Sequence, residues 1–146
     1  PLPTAGALVQ RAHHCGAVYH DHLLIHTGQD FTFLTASGVY SLDLHKAIWH
    51  EVKQKGGPGP RIDAAAAALE GVGILVFGGV DTAFNFEPAD MWLLKGAEGI
   101  ALQAGGSGPC PRACGSLCVQ NSRVYSFGGF DGQQDLDELW CLHLAP

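Results

Sequence analysis

The sequence predicts an all-β protein made of about three four-stranded repeats, and three observations carry the prediction. First, an apolar run halted by glycine occurs three times: Leu23-Leu24-Ile25-His26-Thr27-Gly28, Gly73-Ile74-Leu75-Val76-Phe77-Gly78-Gly79 and Arg123-Val124-Tyr125-Ser126-Phe127-Gly128-Gly129, each soon followed by an aspartate. Runs rich in β-branched and aromatic residues, stopped by glycine, form strands that end in turns. Second, Arg11, Arg61 and Arg112 precede the three copies at nearly constant distance. Third, each stop leads through a polar loop to a second apolar run, at Gly38–Leu42, Asp90–Leu94 and Glu138–Leu142. A spacing of about fifty residues with four strands per unit is that of a propeller blade.

The elements follow in order. Residues 1–10 precede the first arginine, and Ala5 to Val9 is expected as a short closing edge strand. Residues 11–60 form the first blade, with a hairpin turn at His20-Asp21-His22-Leu23 and an outer strand at Ile48–Val52. Lys53 to Pro60 reads as a flexible, exposed connection. Residues 61–111 form the second blade. Its first strand is the small-residue run Ala64 to Ala68, which helix propensity alone would misassign. The repeat overrides that propensity, because the same position is Gly16-Ala17-Val18 and Gly115-Ser116-Leu117 elsewhere. Residues 112–146 form a third blade with strands at Cys114–Val119, Arg123–Phe127 and Asp137–Leu142 and no fourth, Trp-bearing strand. An open stack leaves blade faces bare, and repeat arrays need their ends covered. The sequence therefore reads as part of a larger propeller, as half of a ring closed by two copies, or as blades completed by another protein. In the two-copy ring, Ala5 to Val9 of one chain would supply the other's absent strand.

The phrases Gly59-Pro60-Arg61 and Cys110-Pro111-Arg112, the Gly-Gly stops and the Trp residues at 49, 92 and 140 resemble kelch repeats over residues 9–144. Repeat one departs at Thr27, and repeat two has Ile100 where Trp is usual. The resemblance implies a protein-binding scaffold whose partner docks on loops at one end. Carried over by position, the contacting residues are Gln29, Asp30, Val80, Asp81, Phe130 and Asp131 after the turns, and His13, Asp63 and Cys114 two beyond the arginines. None is basic. Asp30, Asp63, Asp81 and Asp131 instead suggest an acidic rim suited to a basic or amide-rich segment. An Asp after a glycine turn also serves its own backbone, which is the plainer role. Phe84 and Phe86, in the long second-blade loop, are candidate anchors.

Composition narrows the function classes. A net charge of −6 argues against nucleic acid, and no apolar run is long enough for a membrane span. The opening residues carry no basic residue ahead of an apolar core, and the five cysteines are odd in number and unpaired in spacing. Together these predict an intracellular, cytoplasmic setting, with the cysteines packed as small hydrophobes. Cys114 and Cys118 are expected on one face of a single strand. Eight scattered histidines form no converging set, and no nucleophile elbow, phosphate loop or zinc motif occurs. No catalytic residue, metal or cofactor is therefore expected. A propeller enzyme or metal-dependent protein is the alternative, and a substrate-recognition part of a ubiquitin ligase is a further one.

Overall fold

The computed structural model describes residues 3–6, 8, 10–32, 38–88 and 90–144. Every regular element among them is a strand, and the strands form three sheets stacked side by side. The first blade has the order β1 (Ala5–Gly6), β5 (Ile48–Val52), β4 (Val39–Asp43), β3 (His22–His26), β2 (Cys15–Tyr19). The second repeats it as β6 (Lys55–Gly56), β10 (Glu98–Leu102), β9 (Met91–Lys95), β8 (Gly73–Phe77), β7 (Ala65–Leu69). The third contains β11 (Ser116–Gln120), β12 (Arg123–Phe127) and β13 (Leu139–His143). Neighbours pair antiparallel except at the two outer edges, where β1 and β6 run parallel to the outermost strand of their own blade.

The alanine run is a strand, as the repeat requires. Its pairing partner β8 is buried at all five positions, and β7 lies between β2 and β11 at the crowded inner edge. Small side chains let the three inner strands approach one another. Two seams make the core. Cys15 and Val39 of the first blade meet Ile74, Val76 and Leu94 of the second. On the other side of the second sheet, Leu75 and Leu93 meet Val124, with Leu117, Val119 and Leu142 packed around them. This follows from the two-residue period of a strand: alternate residues of the central sheet serve opposite neighbours.

Three expectations change. Lys55–Gly56, read as exposed connection, pairs with β10, so only part of that segment is a linker. Ala5–Gly6 lies along the chain's own β5, while Ala7 and Val9 of the expected edge strand fall outside the described residues. The cysteines are not uniformly packed: Cys15 is buried, whereas Cys110, Cys114, Cys118 and Cys141 are exposed. Cys118 and Cys141 sit on the outer face of the third sheet, where no neighbouring blade covers them among the described residues. Cys114 precedes β11 and has φ 57°, so it does not share a strand face with Cys118.

Candidate partner-binding site

Each arginine of the repeat turns inward. Arg61 and Arg112 are both 1% exposed, among the most buried side chains of the chain. A guanidinium survives there because its donors are met. Arg61 donates to the carbonyls of Gly78 (3.0 Å) and Gly59 (3.3 Å) and pairs with Glu87 and Asp90. Arg112 repeats the pattern on Gly128 (2.9 Å) and Cys110 (3.2 Å), with Glu138 at 2.8 Å. Arg11 donates to the Thr27 carbonyl at 2.9 Å and lies over the Tyr40 ring. The planar, always-charged fork suits this task of tying a turn carbonyl to a carboxylate. Arg61 and Arg112 thus hold the glycine turns without reaching solvent, and Arg11 holds the Thr27 turn from a half-buried position.

Two residues beyond each arginine the backbone turns left-handed, with φ 56° at His13, 57° at Asp63 and 57° at Cys114. The three residues hydrogen-bond in series across the blades: Asp63 N–H to the His13 carbonyl at 3.0 Å, and Cys114 N–H to the Asp63 carbonyl at 2.9 Å. Their side chains also converge. His13 Nδ1 is 2.8 Å from Asp63 Oδ1. The Cys114 thiol hydrogen-bonds the same carboxylate, and its pKa is raised, first by desolvation and then by that negative charge. A thiol so placed is kept protonated, which is the opposite of an activated nucleophile.

The loops after the turns lie at this same end. Gln29, Val80 and Phe130 form bridges back to Ala12, Ile62 and Ala113. The following aspartates organise their own loops. Asp81 Oδ1 accepts from the N–H groups of Ala83 (2.8 Å) and Asn85 (2.9 Å), and Asp131 Oδ1 accepts from Gln133 (2.8 Å) and Gln134 (2.9 Å). Asp30 takes the Thr32 N–H at 2.8 Å in the same way. The Asp81 carboxyl is held below the usual carboxylate range first by the Asn85 side-chain amide, which donates to Asp81 Oδ2 at 2.9 Å, and then by these backbone bonds, and Asp131 is held there chiefly by the Gln134 N–H. The turn role and a permanent negative charge therefore coexist.

The two loop aromatics separate. Phe86 packs on the cluster of Ile62, Val80 and Ala113 and lies 6.3 Å from the Phe130 ring, so it clips the second blade to the third. Phe84, at φ 60°, is 73% exposed. Phe31 is 87% exposed, and sequence reading did not single it out. Its one signal was its place directly after the Asp30 turn. Phe130 is 39% exposed. Among the described residues, no group of three or more His, Cys, Asp or Glu is arranged to hold a metal ion.

Three blades with arginine-tied glycine turns match the KLHDC2/KLHL20/DRC7 Kelch-repeats domain over residues 2–146. The chain belongs to the kelch-repeat family. As a kelch-repeat domain it is a protein-interaction module. It is 35% identical over 100 residues to the flagellar outer arm dynein alpha chain of Chlamydomonas reinhardtii. It is 29% identical over 124 residues to acyl-CoA-binding domain-containing proteins 5 and 4 of Arabidopsis thaliana. The matches cover 66% of this chain and 2% of the dynein chain, and 84% of this chain and 19% of each plant protein. No helix of the described kelch domain is long and apolar enough to cross a membrane.

Proposed function

We propose that the loop end of this kelch domain binds a protein segment carrying lysine or arginine side chains. The observation that supports the reading is the asymmetry of charge at that end. Asp30, Asp63, Asp81, Asp131 and Asp135 stand there, while Arg61 and Arg112 are buried beneath them and satisfied by their own carboxylates. The exposed rings of Phe31 and Phe84 add faces on which a guanidinium can lie. In this reading Gln29, Val80 and Phe130 shape the rim through their bridges, His13 and Asp63 form its inner edge, and Phe86 fixes the loop that presents Phe84.

The test is titration of the domain with an arginine- and lysine-rich peptide and with a glutamate-rich peptide of equal length, followed by fluorescence anisotropy. The basic peptide is expected to bind and to weaken as salt shortens the reach of surface charge. Phe84→Ala or Asp63→Asn is expected to lower its affinity by about tenfold, the effect of losing one anchor. Equal binding of the two peptides, or variants without effect, would exclude the proposal.

A further inference from the structure

The two internal seams pack the same strand positions together, yet they close to different degrees toward the hairpin end of the stack, opposite the loops. At the second seam Leu75 is 0% exposed and Leu93 is buried, with Leu69, Leu102, Leu142 and Leu144 around them. The three-residue turn between β7 and β8 adds Val72. At the first seam, the register places Ser41 at the position of Leu93 and Gly96 at that of Leu144. The turn between β2 and β3 is one residue shorter and holds only His20 and Asp21. Two leucines and a valine are thus missing where the first two blades meet. Leu24, the counterpart of Leu75, stays half-buried there.

The space they leave is a pocket of about 210 Å³ between two sheets that pack on each other within the chain. Its walls are apolar, with Leu24 and Val52 from the first blade and Ile74 and Leu94 from the second. The polar side chains come from the first blade alone. They are Ser41 and, beside the β2–β3 turn, Tyr19, His20 and His22. The His20 and Tyr19 rings stand edge to face with centroids 4.2 Å apart. Each of the four can donate a hydrogen bond, and none is a carboxylate. The Ser41 hydroxyl has no hydrogen-bond partner among the described residues. Asp43, two residues along the same strand face, is met by the His45 and Lys46 N–H groups and by Lys46 Nζ at 3.2 Å. Gly96, at φ 58°, has no atom within 4 Å of where a Cβ would stand, so that corner stays open.

We propose that this pocket between the first two blades binds a small carboxylic acid built on a single aromatic ring, of the class of phenylacetate. Volume selects the ring. An apolar cavity of about 150 Å³ holds one benzene ring, and about 210 Å³ leaves room for a short polar arm. The donors select the arm. A carboxylate accepts from a hydroxyl or an imidazole N–H, and such charge-assisted bonds are the stronger kind. An ammonium of the same size finds no free carboxylate among the lining residues. A bound ring touches both blades, so it stabilises the seam it occupies.

Titration of the isotope-labelled chain with phenylacetate, followed by NMR amide shifts, tests this, with phenethylamine as the cation of similar size. Phenylacetate is expected to move the amides of Leu24, Ser41, Ile74 and Gly96 along saturable curves, with a Kd of roughly 1 mM or tighter for about ten heavy atoms. Phenethylamine should leave them in place. The melting temperature should climb with phenylacetate concentration, as for any ligand of the folded state alone. Ser41→Leu restores the residue type of the second seam. It should abolish the saturable shifts while keeping the melting temperature of the free chain the same or higher. His22→Ala, at an exposed position, should weaken phenylacetate about tenfold, and it remains informative if circular dichroism shows Ser41→Leu to be unfolded. Shifts that do not saturate, equal shifts from the two probes, or full affinity in either variant would overturn the proposal. The aspartate rim lies at the other end of the stack, so Asp63→Asn, which tests peptide binding, should leave phenylacetate binding unchanged.

Discussion

Arg112 illustrates how much one side chain carries here. It is almost wholly buried, and its donors reach the Gly128 and Cys110 carbonyls and Glu138. Arg112→Ala leaves those acceptors without their donor. Its expected cost is about 3 kcal/mol, and Arg112→Lys should recover only part of it because an ammonium lacks the flat fork. Urea unfolding of the two variants measures both. His26 makes a second prediction, with a pH signature. It is buried at the end of β3, where the other blades have Phe77 and Phe127, and its pKa falls to about 4, first through burial and then through the charge of Arg61. Between that value and the ordinary 6.5, the unfolded chain holds a proton that the folded chain does not. Stability is thus full above pH 6.5 and falls as the pH drops toward 4, by at most about 3 kcal/mol from this group. His26→Phe should flatten that part of the profile, as read from urea midpoints across the range.

At the level of strands and turns, the repeat in the sequence reported more than propensity did. The runs Gly73–Phe77 and Arg123–Phe127 are strands at the positions read, and the alanine run is a strand despite its helical preference, because it pairs with β8 along all five residues. What the sequence hid has a common cause: it lies in contacts between blades. Three arginines at one period mark a position, but only the folded stack shows that the position is internal. Cys114 was read onto a strand by spacing from Cys118. The left-handed turn that delays β11 comes from its hydrogen bond to the previous blade. The aspartates were legible as turn formers, and Phe31 had no repeated counterpart to draw attention to it. The turns themselves give a graded prediction. Gly78→Ala forces a Cβ into the carbonyl of Arg112, while Gly128→Ala meets only the Leu136 oxygen at 3.2 Å. The first should cost clearly more than the second, for which about 1 kcal/mol of left-handed strain is expected. Thermal melts of the pair decide it.

For the whole stack, stability should be graded from the middle outward, as in any array held by nearest-neighbour contacts. β8 is buried at all five positions and is flanked by both seams. Its amides should exchange with solvent most slowly, and those of β13 faster, because among the described residues the second blade packs on two neighbours and the third on one. Exchange followed by NMR or mass spectrometry checks the order, and equal protection in the two strands would contradict it.

The residues at 13, 63 and 114 are joined by main-chain bonds, and their imidazole, carboxylate and thiol meet above that joint. The main-chain bonds do not depend on the side chain, so residues that tolerate the left-handed φ of about 57° can replace one another there with the backbone joint kept. A blade of this design can be duplicated with its assembly instructions intact and its inward-facing chemistry left blank. Mutation can then rewrite what the loop end recognises one position at a time, while the order of the blades is inherited unchanged.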